Sequence, residues 1–450
     1  MNMADLDLRH VIMNNNYERK LSGEVAMKKF ISVALVAAMT ASLAACGSSS
    51  ESTDTAAETT AAAEEAETEA EAAEEDTEAE ADADAEAADE SSDAEGGVFV
   101  IGGTGPLTGG AALYGEAVDQ GAQVAVDEIN AAGGINGYQV EWIFEDDEHD
   151  AEKALNAYNT LKDQGIQMFV GTVTSGPCLA VVEETADDNM FQLTPSGTTA
   201  DITANPNVFR MCFSDPAQGT KSAQYIGEHG LATKVGVIYD SSDPYSQGIY
   251  EAFDEAAPEY GIEVVAAEAF TADSKTDFKT QIQKMKDAEA ELVFLPFYYT
   301  EAALVLQQSK ELDYAPVFFG CDGMDGILNL ENFDTSLAEG LMLLTPFSAD
   351  ATDDLTVNFV TKYEEAYGST PIQFAADAYD CIYAIKLAAE EAGITPDMSV
   401  SDICDAIVPA MQQIQFDGLT GAGITFDENG EPEKEPKAVV IENGAYVSAD

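Results

Sequence analysis

From residue 98 onward the chain repeats one pattern. A short apolar run leads into a turn of Gly or small polar residues, then into a longer segment with apolar positions at helical spacing. The runs at 98–102, 140–144, 168–171 and 191–194 predict one set of strands, and those at 235–239, 263–267, 292–295 and 317–319 a second. Helical patterns fall between them, at 115–130, 151–164, 247–260 and 275–287. Such alternation builds parallel sheets wrapped by helices, and two sets predict two lobes. The break between sets falls at 213–219.

The last third reads differently. Residues 341–344 read as a strand, 356–367 and 374–392 as successive long helices, and 423–426 and 438–441 as closing strands. A chain that completes both lobes this late must cross between them more than once. The expected fold class is therefore α/β, with two Rossmann-like parallel-sheet lobes joined by a multi-strand hinge. The expected first lobe is about 98–218 with about 346–425, and the second about 219–345 with about 426–450.

The pattern upstream of residue 98 is of another kind. Lys28 and Lys29 precede an apolar run, 30–45, that closes with Leu43-Ala44-Ala45-Cys46. A charged start, an apolar stretch and small residues before a cysteine make a lipoprotein signal over 27–45, with Cys46 lipidated and holding the chain to a membrane by acyl chains. The run is shorter than the roughly 20 residues a spanning helix needs. Residues 1–26 show no apolar periodicity and are expected to be a non-native leader. Gly23-Glu24-Val25 can be encoded as a ribosome-binding purine run, which makes Met27 the expected initiator. Residues 47–96 hold twenty acids and no Lys or Arg among Ala, Ser and Thr. Such a segment repels itself and buries no core, so 46–97 is expected to be a disordered tether with a reach of about 40 Å.

Charge and cysteines narrow the partners. Of the chain's 84 acids and 19 bases, 60 acids and 14 bases follow the tether, a formal charge of −46 on the folded part. Nucleic acid and anionic lipid surfaces need clustered Lys and Arg, so neither is an expected partner. Cys178, Cys212, Cys321, Cys381 and Cys404 lack C-x-x-C spacing and sit in or beside apolar stretches, which predicts mostly buried thiols and leaves room for one disulfide.

Parallel sheets gather ligands at the carboxyl ends of their strands. There the chain places GGTGPLTGG (102–110), GTVTSG (171–176), TPSGTT (194–199), FYYT (297–300) and GCDG (320–323). Small, polar and aromatic groups on two facing lobes predict a cleft for a small polar molecule.

These segments resemble, in order and spacing, the amino-acid substrate-binding proteins of ABC transporters, the type I periplasmic-binding family that includes leucine/isoleucine/valine-binding proteins. PLTGGAALYG, DEINAAGGINGYQVE, EDDEHDAEKA, LTPSGT, FRMCFSDPAQG, YDSSDPYSQG, FLPFYYTEAALV and FAADAYDCIYA carry the likeness from residue 98 to the end. It implies a Venus-flytrap fold that closes on a zwitterionic amino acid, with no catalysis and no cofactor. The implied partners are an ABC permease and its ATPase subunits, met by a monomer tethered at the outer face of the membrane. Ser175 matches the position that holds the α-carboxylate at a helix start, and Ser196 and Thr198 the pair that meets carboxylate and ammonium. Asp322 matches the carboxylate of the second lobe that faces the ammonium, where some relatives carry Glu. Tyr114, Tyr245 and Tyr298 match pocket-lining aromatics, which suit an apolar side chain without choosing among leucine, isoleucine, valine and phenylalanine.

Plainer roles exist for each of these residues. Ser175 can be a helix cap, residues 195–197 and Asp322 parts of turns, and the tyrosines ordinary packing. Among rival functions, an enzyme has two histidines to draw on beyond Cys46, His149 and His229, and neither adjoins a nucleophile motif. Asp146, Asp147, Glu148, His149 and Asp150 cluster like metal ligands but lack EF-hand spacing, and Asp150 has a capping role; no metal is expected. The same fold can also bind amides, urea, purines or aromatic acids, or serve as a ligand sensor.

Overall fold

The computed structural model describes residues 97–449. The expected leader, the signal segment, the lipidated Cys46 and all but the last residue of the tether lie outside them. The strands are β1 (Phe99–Gly105), β2 (Val140–Asp146), β3 (Met168–Val170), β4 (Gln192–Thr194), β5 (Val208–Arg210), β6 (Lys234–Asp240), β7 (Glu263–Phe270), β8 (Leu292–Leu295), β9 (Val317–Gly320), β10 (Met342–Thr345), β11 (Lys437–Glu442) and β12 (Ala445–Ser448). The α-helices are α1 (Ala112–Ala131), α2 (Ala151–Asp163), α3 (Ser175–Asp187), α4 (Asp215–Glu228), α5 (Pro244–Ala256), α6 (Lys279–Asp287), α7 (Tyr299–Glu311), α8 (Asp354–Tyr367), α9 (Gln373–Ala392) and α10 (Val400–Met411).

Two sheets organise these elements. The first has the order β2-β1-β3-β4-β5, the second β12-β11-β10-β9-β8-β6-β7. The first is parallel throughout, and the second is parallel except where β11 pairs antiparallel with β10 and β12. Central strands such as β3 (MFV) and β8 (LVFL) are buried at every position, as strands covered on both faces must be. Helices α1 and α9 pack along each other beside the first sheet, and α4 and α5 pair beside the second.

The chain passes between the sheets three times. It leaves the first after β5 for α4, leaves the second after β10 for α8, which packs on α1, and returns to the second at β11. This is the two-lobed α/β architecture with several crossing segments that the alternation predicts.

The differences have local causes. Residues 423–426 form no strand but two isolated bridges, Phe416 with Ile424 and Phe426 with Pro432, because Gly423 turns the chain at φ +65°. The helix expected from residue 275 begins only at Lys279; before it, Thr271 and Ser274 cap a separate 3₁₀ turn over Ala272–Ser274. The helix over 247–260 starts earlier, at Pro244 behind the Asp243 cap, and tightens to 3₁₀ over Ala257–Tyr260, where Pro258 has no N–H to continue the ladder. Strands β5 and β12 have no counterpart among the expected elements. All five cysteines from Cys178 to Cys404 are buried and free.

Candidate functional site

The carboxyl ends of both sheets converge on one place. From the first lobe, Tyr114 comes from the opening turn of α1, Ser175 from the start of α3 beyond β3, and Ser196 from the loop beyond β4. From the second, Tyr245 comes from the start of α5 beyond β6, Tyr298 from the residue before α7, and Asp322 from a short 3₁₀ turn beyond β9. These six line a single cavity together with Val173, Thr174, Gly323 and Phe374. Thr198, the seventh expected residue, sits just behind it: its Oγ1 lies 3.2 Å from Ser175 Oγ and its side chain is fully buried.

Ser175 is not a helix cap. The cap position of α3 is Thr174, whose side chain makes no capping hydrogen bond, so this helix start is left without a side-chain cap. The Ser175 hydroxyl serves the neighbouring loop instead, accepting from Thr198 N at 3.1 Å and Thr199 N at 3.3 Å. The Ser196 hydroxyl donates to Val173 O at 2.7 Å, which ties the β3 and β4 loops together. A helix start without a side-chain cap, held between two small-residue loops, is an electropositive corner.

The opposite wall carries a carboxylate. Asp322 Oδ1 accepts from Tyr245 Oη at 2.6 Å and from Gly323 N at 2.7 Å. Burial pushes its carboxyl up to about 6, against the pull of those hydrogen bonds. A second carboxyl, Asp215 at the start of α4, lies behind the site. It accepts from Thr199 Oγ1 at 2.9 Å, its backbone N–H donates to Thr198 O at 2.8 Å, and burial raises its pKa well above the carboxylate range.

Aromatic rings close the space between these two walls. Tyr114 stacks on Phe374 at 4.2 Å and meets Tyr298 edge-on at 5.6 Å, while Tyr298 stacks on Tyr245 at 5.0 Å. The tyrosines thus pack on one another and across the lobes at once. Tyr114 Oη donates to Gly323 O at 2.5 Å, and Thr300 Oγ1 donates to Gly110 O at 2.7 Å, so the lobes are in direct contact. The free space left is about 10 Å³, room for roughly one water molecule, so a larger occupant requires the lobes to part.

Several contributors escape a reading of the sequence. Phe374 opens a long apolar helix and looks like core. Gln218 accepts from Asp322 N at 3.3 Å, and Gln373 donates to Asp322 O at 3.0 Å; both amides lie far from Asp322 in the chain and meet it only once the fold is formed. The available signal was that Gln218 lies in the DPAQG stretch and Gln373 directly precedes FAADAYD.

The remaining candidates have local partners. His149 Nδ1 lies 2.8 Å from Thr174 Oγ1, and its ring meets Tyr298 edge-on at 5.5 Å; burial lowers its pKa. His229 stacks on Tyr225 at the end of α4. In the acidic loop, Asp146 accepts from Leu107 N and Thr108 Oγ1, Asp147 from His149 N, and Asp150 caps α2 through Glu152 N and Lys153 N. Among the described residues no group of three or more His, Cys, Asp or Glu is placed to hold a metal ion.

Comparison with known proteins gives a consistent family likeness. A family model described as periplasmic binding protein matches residues 98–445. The Leu/Ile/Val-binding protein homolog 3 of Brucella melitensis is 32% identical over 299 residues, which cover 66% of this chain and 80% of that protein. The leucine-, isoleucine-, valine-, threonine-, and alanine-binding protein of Pseudomonas aeruginosa is 29% identical over 332 residues, 73% of this chain and 85% of that one. Among solved structures, the branched-chain amino acid transporter substrate-binding protein LivJ of Streptococcus pneumoniae, in complex with isoleucine, superimposes with a TM-score of 0.71 at 28% identity. That superposition covers 78% of this chain and 98% of LivJ.

Proposed function

The chain belongs to the periplasmic binding protein family, and on that premise we propose that it captures an amino acid with a branched or other apolar side chain between its lobes. The observation that carries this reading is the pairing of opposite corners. A helix start without a side-chain cap at Ser175 suits an α-carboxylate, and the buried Asp322 across the cleft suits an α-ammonium. The rings of Tyr114, Tyr245, Tyr298 and Phe374 then face the side chain, and Thr198 orients Ser175 from behind. The protein captures its ligand and leaves it chemically unchanged. The ligand bridges two lobes, about 98–218 with 346–425 and about 219–345 with 426–450, and shifts them toward the closed form. A permease with its ATPase subunits would accept the closed monomer at the outer membrane face, where lipid on Cys46 and the acidic tether would hold it.

The test is direct. Mass spectrometry of small molecules released from the purified protein is expected to find an apolar amino acid. In a thermal-shift screen, that amino acid at 100 times its Kd should stabilise the protein by about 2.7 kcal/mol, while amides, nucleosides and aromatic acids do not. Asp322→Ala should lose most amino-acid affinity yet melt near the wild-type temperature without ligand. Stabilisation by another ligand class alone, or micromolar amino-acid binding by Asp322→Ala, would overturn the reading.

A further inference from the structure

The short turn that presents Asp322 to the cleft carries a second buried carboxylate on its other side. Asp325 lines a separate cavity of about 370 Å³, within the range of small-molecule sites. Its walls come from both lobes and from the crossing between them: Leu328, Leu343 and Val439 from the second, Val360 and Ile372 from the first, and Phe347 from the chain joining β10 to α8. Parting the lobes must therefore reshape it.

The charged groups that line this cavity have one sign. Asp325 is 6% exposed, and its two oxygens accept from Gly326 N at 2.9 Å and Gln373 N at 2.8 Å. Both donors are neutral amides, and the neutral Tyr446 hydroxyl hydrogen-bonds the same carboxylate, so the charge is solvated without being balanced by a cation. The exposed Asp350 and Glu364 stand at the rim, and among the described residues no Lys, Arg or His lines the space. A buried carboxylate in a chamber of mixed apolar and neutral polar lining, with two exposed carboxylates beside it, complements an organic cation with an apolar body.

The chamber is also wired to the cleft. Gln373 accepts from Thr345 Oγ1 at 2.7 Å, donates its backbone N–H to Asp325, and donates its side-chain amide to Asp322 O. Thr345 and Asp325 both line the chamber, whereas Asp322 lines the cleft. One buried amide from the first lobe thus holds groups of both cavities on the second.

We propose that this chamber is a second binding site, for a small organic cation that carries an ammonium group on an apolar body, and that its occupancy is coupled to lobe closure. The site stands on its own geometry; the coupling rests on the amino-acid reading above.

Phenethylammonium chloride is a suitable probe, titrated into the full chain by calorimetry. It should bind wild type, and bind Asp325→Asn about tenfold more weakly, the loss expected for one charge-assisted contact. Its neutral analogue 2-phenylethanol should be weaker by a similar factor. Val360→Trp, which fills the chamber from a half-buried position on α8, should abolish probe binding while melting near wild type. Asp322→Ala should keep it. Absence of binding at about 10 mM probe, equal binding of 2-phenylethanol, or loss of binding in Asp322→Ala would overturn the site. For the coupling, saturating probe should change amino-acid affinity about fivefold or more, and by reciprocity the amino acid should change probe affinity equally. An unchanged amino-acid affinity overturns the coupling.

Discussion

Asp322 is held by a hydroxyl and an amide but pairs with no cationic side chain among the described residues, and this makes its protonation a readout of binding. Burial raises its carboxyl to about 6, with the Asp325 charge adding to the rise and Tyr245, Gly323 and Gln218 opposing it. A ligand ammonium favours the ionised form, so binding at lower pH must first displace a proton. The amino-acid affinity should be flat above about pH 7 and fall below about pH 6, by up to about tenfold per pH unit. Asp322→Asn, weaker overall, should flatten the profile even though Asp215, Asp325 and His149 still titrate nearby. A flat wild-type calorimetric profile from about pH 5 to 8 would refute this. The residues around Asp322 were legible to different degrees. Ser175, Ser196 and Asp322 are small or polar residues beyond strand ends, where polarity in an apolar neighbourhood signals a site. Phe374 offers no such contrast, and the roles of Gln218 and Gln373 depend on contacts with residues far off in the chain that no local pattern encodes.

At the level of elements, the packing of α1 on α9 sets how the first lobe presents Tyr114 and Phe374. The helices approach so closely at Gly121 that a Cβ there would lie 2.1 Å from Ala375 O, a backbone atom that cannot turn aside. Gly121→Ala should therefore destabilise by about 1–3 kcal/mol, seen as a lower urea midpoint, whatever it gains in helix propensity. Gly110→Ala, whose added Cβ meets nothing within 4 Å, should be close to neutral and serves as the control. An unchanged midpoint for Gly121→Ala would mean the two helices can separate at no cost. The same scale shows what periodicity could and could not reveal. Runs such as LVFL at β8 announce a buried strand by composition alone. Strand β5, VFR, is three residues long and ends in Arg210, which is fully buried because its guanidinium donates to Gly197 O and Thr199 O and pairs with Glu431. A charged residue whose partners lie in distant loops reads as surface until those loops are placed.

For the molecule as a whole, buried carboxyls and net charge act in the same direction. Burial raises Asp322, Asp325 and Asp243 to about 6, and Asp147 and Asp377 to about 7, with Lys434 at 3.5 Å pulling Asp377 the other way. For an acid whose folded pKa exceeds its unfolded value, the folded state binds more protons between the two values, so stability falls as pH rises through that window. The window here runs from about 4 to about 7, and over it the formal −46 of the folded part also develops its full repulsion. At the acid end the order reverses: Glu128, Asp146 and Asp353 have lowered values through their hydrogen bonds, and their contribution is lost as pH falls below about 4. Without ligand, the melting temperature should peak near about pH 4 and decline toward about pH 7, and added salt should recover more at the higher pH than at the lower. Ligand changes the balance, because the ammonium that binds Asp322 is favoured by the very ionisation that destabilises the empty cleft. The stabilisation produced by a fixed excess of amino acid should thus grow over the same pH range while the unliganded melting temperature falls. Differential scanning calorimetry with and without ligand measures both curves, and parallel curves would show that the buried carboxyls and the ligand do not share their protons.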